Sequence, residues 1–213
     1  MRPEQERNSE DHRRDHEKVL GRILAFSDGV FAFAITLLIL DVRLPAETLK
    51  ANLGSTLISL WPNYMAFLLS FVVIGIHWST HVRLFRDIIR YDQKLIWLNL
   101  LFLLFIVVIP FSTSLLSLHL VRLSVIVYAA LMACAGYMHT VLRLHAGNKD
   151  RLIDKNRRFL YTKKTALMSL FAPTGFTASI GIAFLNASVA QLFWVVILLS
   201  HFIIQGHTKS SER

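Results

Sequence analysis

The chain has 213 residues, of which 54% are hydrophobic and 17% charged, and its mean hydropathy is +0.49. That balance excludes an ordinary soluble domain of this length and indicates an integral membrane protein. The net charge of +9 does not by itself imply a nucleic-acid partner, because its placement follows the membrane spans.

A helix crossing a hydrocarbon layer about 30 Å thick needs roughly 20 apolar residues. Six windows meet that need, at 20–42, 57–80, 95–118, 120–142, 165–185 and 187–205, so the expected fold is all-α and polytopic, with six transmembrane helices. Residues 1–18 precede them as a mixed-charge tail without an apolar stripe, either solvated or a frayed helical extension; 19–206 form the transmembrane domain and 207–213 a second short tail. The opening residues lack the form of a secretory signal, so the first span is expected to act as its own insertion signal. All but Arg43, Lys50 and Arg122 of the 23 lysines and arginines fall on one side of this layout. By the positive-inside rule that side, with both termini, is cytoplasmic, and no nucleic-acid role is expected.

The first span carries an acid and a base, Arg22 and Asp28, in a run that is otherwise nearly all apolar to Leu40. Charges at such depth are paired or border water. At helical spacing the span also shows a bulky stripe of Phe26, Val30, Phe33, Leu37 and Leu40 beside a small-residue stripe of Ala25, Gly29, Ala32 and Thr36. The small stripe suits close docking of a neighbouring helix; the bulky one faces either a pore or ordinary packing partners. Arg22 and Asp28 stand about 9 Å apart along the axis and about 240° apart around it, so each needs a partner from another helix.

The end of the second span supplies candidates in Gly75-Ile76-His77-Trp78-Ser79-Thr80-His81. A buried polar network of Arg22, Ser27, Asp28, His77, Trp78 and His81 would satisfy these groups together. His77 and His81 also have metal-ligand spacing, but a zinc site needs three or four ligands and only Asp28 is at hand, so no metal is expected. Further along, Pro110 and Pro173 fall inside spans three and five, where kinks are expected. The connections near 117–121 and at Asn186 are short enough to make antiparallel hairpins. Cys134, the single cysteine, is expected as a small core residue of the fourth span. The long basic connection at 143–164 serves topology and attraction to anionic headgroups. Trp61, Tyr64, Tyr91, Trp97, Tyr161 and Trp194 lie where interfacial anchors would.

The sequence Arg22-x-x-x-Phe26-Ser27-Asp28, the helix ending Leu37-Leu38-Ile39-Leu40-Asp41-Val42-Arg43-Leu44-Pro45, and the later Trp78-x-x-His81-x-x-Leu84-Phe85 together resemble the lysosomal potassium channel family known as transmembrane protein 175, in its prokaryotic single-repeat form. The likeness extends over about residues 18–206. It implies a homotetramer in a prokaryotic cell membrane, with four copies of the first helix around a pore. The pore-lining positions would then be Phe33, Leu37 and Leu40, with a hydroxyl ring at Thr36 and Phe33 standing where the family carries Ile or Leu. The resemblance further implies that Arg22, Ser27, Asp28 and a second-span His or Trp are structural rather than ion-binding.

The leading expectation is therefore a potassium-preferring cation channel with a hydrophobic gate at Phe33 and Leu37. No cofactor is expected, only permeant potassium and other monovalent cations. A proton-coupled carrier using Asp28, His77 and His81 as a relay is the alternative. An enzyme is not expected: Ser27 and Asp28 point about 100° apart, and on a single helix no nucleophile has a base one turn away.

Overall fold

The computed structural model describes residues 2–42, 53–118, 121–148, 152–154, 157, 160–161 and 163–210. Their regular elements are helices: α1 (Arg2–Leu37), which tightens into a 3-10 turn at Leu38–Asp41, α2 (Leu53–Ser59), α3 (Trp61–Asp87), α4 (Gln93–Leu118), α5 (Arg122–Asn148), α6 (Lys163–Ser169), α7 (Phe171–Leu185) and α8 (Ala187–Ser210). Among the described residues, five stretches are long and apolar enough to cross a membrane: Arg14–Leu40, Trp61–Asp87, Gln93–Ser117, Arg122–Asn148 and Leu167–Leu185. In α8, where the last window was expected, the apolar stretch among the described residues is Ala187–Ser200, shorter than that length. The expectations placed on Arg43, Leu44, Pro45 and Lys50, on residues 119–120 of the connection near 117–121, on half of 149–164 and on the last three residues lie outside the described residues.

Lipid tails are as apolar as leucine, so shape complementarity and interhelical hydrogen bonds must hold such a bundle together. Phe31, Ala34 and Leu38 of α1 meet Ile74 of α3, Phe102 and Ile106 of α4 and Met132 of α5 in one continuous core. Small residues permit the closest approaches: a Cβ on Gly136 of α5 would stand 2.9 Å from Pro173 of α7, and one on Gly175 of α7 would stand 2.9 Å from Ile197 of α8. Buried hydroxyls add cross-links. Thr113 donates to Ser70 at 2.8 Å, and Ser70 shares a 3.1 Å bond with Tyr128, which ties α3, α4 and α5 together.

The hairpin at Asn186 forms as expected, with the Asn186 side chain accepting from the Ser188 and Val189 amides at 2.9 and 3.2 Å as a helix cap. Pro110 lies inside α4. Pro173 lies inside the fifth apolar stretch, Leu167–Leu185, as expected; it follows the break at Leu170 and occupies the first turn of α7, where its missing N–H is not needed. Two further expectations are corrected. Trp194 is no interfacial anchor: it is fully buried against Tyr128 and Phe176, and its indole donates to Ser179 at 2.9 Å. Cys134 is exposed on the outside of α5 rather than in the core.

Candidate functional site

The face by which α1 packs on its own subunit is neither of the two stripes read from the sequence. It is Leu20, Ser27, Phe31, Ala34 and Leu38, all buried. Ser27 donates to the Ile23 carbonyl at 2.9 Å, as hydroxyls do within helices, and accepts from Asn99 Nδ2 of α4 at 3.0 Å. The same amide takes a hydrogen bond from His81 Nε2 of α3 at 2.8 Å. Because the Asn99 oxygen only accepts, Nε2 of His81 carries the hydrogen, leaving Nδ1 bare and buried among aromatic rings. A buried polar chain therefore joins α1, α4 and α3.

Asp28 is held separately. Trp78 Nε1 donates to its carboxylate at 2.8 Å. The structure thus brings together Ser27 with His81, and Asp28 with Trp78, as two links rather than one network. His77 is half-buried with its ring on Phe102, centroids 5.8 Å apart. Arg22 stands outside both links: it is exposed, about 240° from Asp28, at the rim of a groove between α1 and α4. No group of three metal-ligating side chains forms among the described residues.

Sequence reading missed Asn99, the residue that joins the two ends of the chain Ser27–Asn99–His81. Its signal was there: an amide alone in the apolar run from Leu95 must find partners inside the protein. Asp87 was missed as well. At the end of α3 it is buried, accepts from the Tyr161 hydroxyl at 2.9 Å and pairs with Arg157 at 3.3 Å. Arg143 lies over the Tyr161 ring at 5.2 Å and donates to the Leu160 carbonyl at 3.0 Å. Burial, and then the neighbouring Asp87, push the Tyr161 phenol well above its usual range. An antiparallel bridge between Ile88 and Ile153 completes a docked connection, which sequence reading had given only a topological and headgroup role.

The remaining face of α1 is largely exposed on the subunit. Phe26 is 57%, Phe33 62% and Leu40 53% exposed, and Leu37 and Val30 are half-buried. The small stripe is open too: Ala25, Gly29, Ala32 and Thr36 are exposed, and a Cβ on Gly29 would meet nothing within 4 Å. Thr36 donates to the Phe33 carbonyl at 2.9 Å, so its oxygen keeps its acceptor sites toward the open side. On one helix, then, an apolar face with a single hydroxyl lies opposite a buried polar anchor.

The sequence pattern of the family described as endosomal/lysosomal potassium channel TMEM175 matches residues 22–110. A potassium channel of Streptomyces collinus is 34% identical over 172 residues, covering 78% of this chain and 84% of that one. A potassium channel of Chamaesiphon minutus is 41% identical over 139 residues, covering 62% and 68%. The crystal structure of a lysosomal potassium-selective channel TMEM175 homolog from Chamaesiphon minutus superimposes with a TM-score of 0.77 at 31% identity, over 88% of this chain and 98% of that one. The chain therefore belongs to the TMEM175 potassium channel family, in its prokaryotic single-repeat form.

Proposed function

We propose that this chain is one subunit of a homotetrameric, potassium-preferring cation channel in a prokaryotic plasma membrane. Four copies of α1 surround its pore, six spans cross the bilayer and both termini are cytoplasmic. One observation carries the reading: α1 buries one face in its own bundle and leaves Phe33, Thr36 and Leu40 open on another. A membrane helix with a bulky apolar face flanked by exposed small residues suits a symmetry axis, where backbones approach closely and knobs meet. The naming of its relatives as potassium channels supports the same assignment.

In this reading Phe33 and Leu37 close the pore by excluding water from a narrow apolar ring, and ions cross down their gradient when the ring wets. Thr36 oxygens, with backbone carbonyls near the helix ends, replace part of the lost hydration. Ser27, Asp28, His77, Trp78 and His81 hold α1 in position and bind no ion. The relay reading loses ground because Asp28 bonds Trp78 while His81 bonds Asn99. The proposal requires no cofactor and no chemistry. Its test is Phe33→Ala in planar bilayers: leak current should rise several-fold, and a current equal to that of the unmodified chain removes Phe33 from the gate.

A further inference from the structure

Arg22 is the member of the expected network that the fold leaves out, and its position on α1 gives it another use. At 100° per residue it lies about 40° from Phe26, one turn before it, so it extends the open stripe of Phe26, Phe33, Leu37 and Leu40. Its guanidinium is exposed and makes no hydrogen bond or ion pair among the described residues. It stands at the rim of a groove of about 260 Å³, with Ile23 and Phe26 on one wall and Ile96 and Leu100 on the other.

Between Arg22 and Leu40 the only other formal charge on α1 is Asp28, which is turned about 200° from Phe26 and held by Trp78. Asp15 shares the stripe but sits about 10 Å further out along the helix. Arg22 is thus the last charge on this face before the apolar constriction, about 16 Å short of Phe33.

We propose, resting on the pore reading above, that four Arg22 side chains form a cationic collar at the N-terminal mouth of the channel. The collar lowers the local concentration of cations reaching the constriction and discriminates against divalent ones. The attraction or repulsion of an ion scales with its charge. A calcium ion therefore feels twice the barrier that a potassium ion feels, and its occupancy of the mouth falls as the square. The collar sets throughput and monovalent preference without touching the gate.

The test uses the full-length chain with Cys134→Ser, Arg22→Cys and two methanethiosulfonate reagents of similar size, one leaving a sulfonate and the other a trimethylammonium group. In planar bilayers at about 10 mM ionic strength, where screening extends about 30 Å, Arg22→Cys should pass at least about twofold more current than the unmodified chain. The sulfonate adduct should raise the current further and the trimethylammonium adduct should lower it. All three differences should shrink in about 1 M salt, where screening extends only about 3 Å. A structural or steric role moves both adducts in the same direction, and that result, or no change with either, overturns the collar. Arg22→Gln provides a second measure, with the calcium-to-potassium permeability ratio expected to rise at least about twofold; an unaltered ratio also overturns it. Phe33→Ala run alongside separates the two readings. If it changes current while the Arg22 variants do not, only the collar falls; if it too is silent, the pore assignment falls.

Discussion

Asn99 and Ser27 meet at 3.0 Å across seventy-two positions of sequence, on a face of α1 turned about 120° from Phe33. The open face of α1 is therefore aimed by a hydrogen bond on its back. His81 completes the anchor at 2.8 Å on the other side of the same amide.

Replacing Asn99 by Ala strips partners from two buried groups at once. Each abandoned group costs about 1–3 kcal/mol. The detergent-solubilised protein should lose several degrees of melting temperature, read by intrinsic fluorescence, and an undiminished value would show that the amide does not hold α1.

The Asp28 and Trp78 link is a charge-assisted bond of the kind worth about 1.5–3 kcal/mol, and its partial exposure places it at the lower end. Trp78→Phe and Asp28→Asn should each destabilise the chain, and the double variant should be no worse than the worse single one. A double-mutant cycle by thermal melting reads this directly, and full additivity would mean that the pair does not interact.

Glycine substitutions separate packing inside a subunit from packing between subunits. Gly136→Ala forces a methyl against Pro173, where overpacking costs about 1–3 kcal/mol, so the subunit itself should lose stability. At Gly29 a Cβ would meet nothing within 4 Å in the subunit, so Gly29→Leu places its bulk on an open side. It should leave the subunit folded but disrupt the proposed tetramer, which size-exclusion light scattering would report as a loss of tetramer mass. An intact tetramer would place the small stripe against lipid.

The docked connection below α3 should be alkali-sensitive. Tyr161 is pushed above its ordinary value, so its contribution is complete below about pH 10, where the unfolded phenol begins to ionise, and fades as pH rises beyond that. Limited proteolysis within 149–160 should accelerate above about pH 10 in the unmodified chain. In Tyr161→Phe it should already be faster at neutral pH and depend less on alkali. Arg157→Ala should matter less, since its guanidinium is 54% exposed and such pairs are worth about 1 kcal/mol or less.

Much of this was legible in the residues. The apolar windows located the helices, because a bilayer requires long uncharged runs whatever the fold. The Phe-Ser-Asp stretch and the Trp78–His81 stretch were recognisable as partners, because buried polar groups must be satisfied. Pairing was not legible. Ser27 or Asp28 on the first span, and His77, Trp78 or His81 on the second, offered several matches, and Asn99 from a third helix decided among them by supplying a donor and an acceptor at one point. Trp194 and Cys134 were misplaced for a related reason. Hydropathy fixes depth in the membrane but not whether a side chain faces lipid, a pore or a neighbour.

By itself, the sequence determined that this chain lives in a membrane as a set of helices and that its first helix carries two distinct faces, since period and composition are local properties. The tertiary structure alone decided that a third side, with Ser27, Phe31, Ala34 and Leu38, is the one buried, and that the small stripe is exposed and the bulky one exposed at Phe26, Phe33 and Leu40. The rotation of a helix about its own axis depends on which neighbours complete its hydrogen bonds and fill its grooves. Those neighbours are distant in sequence, so no pattern within one helix can specify them.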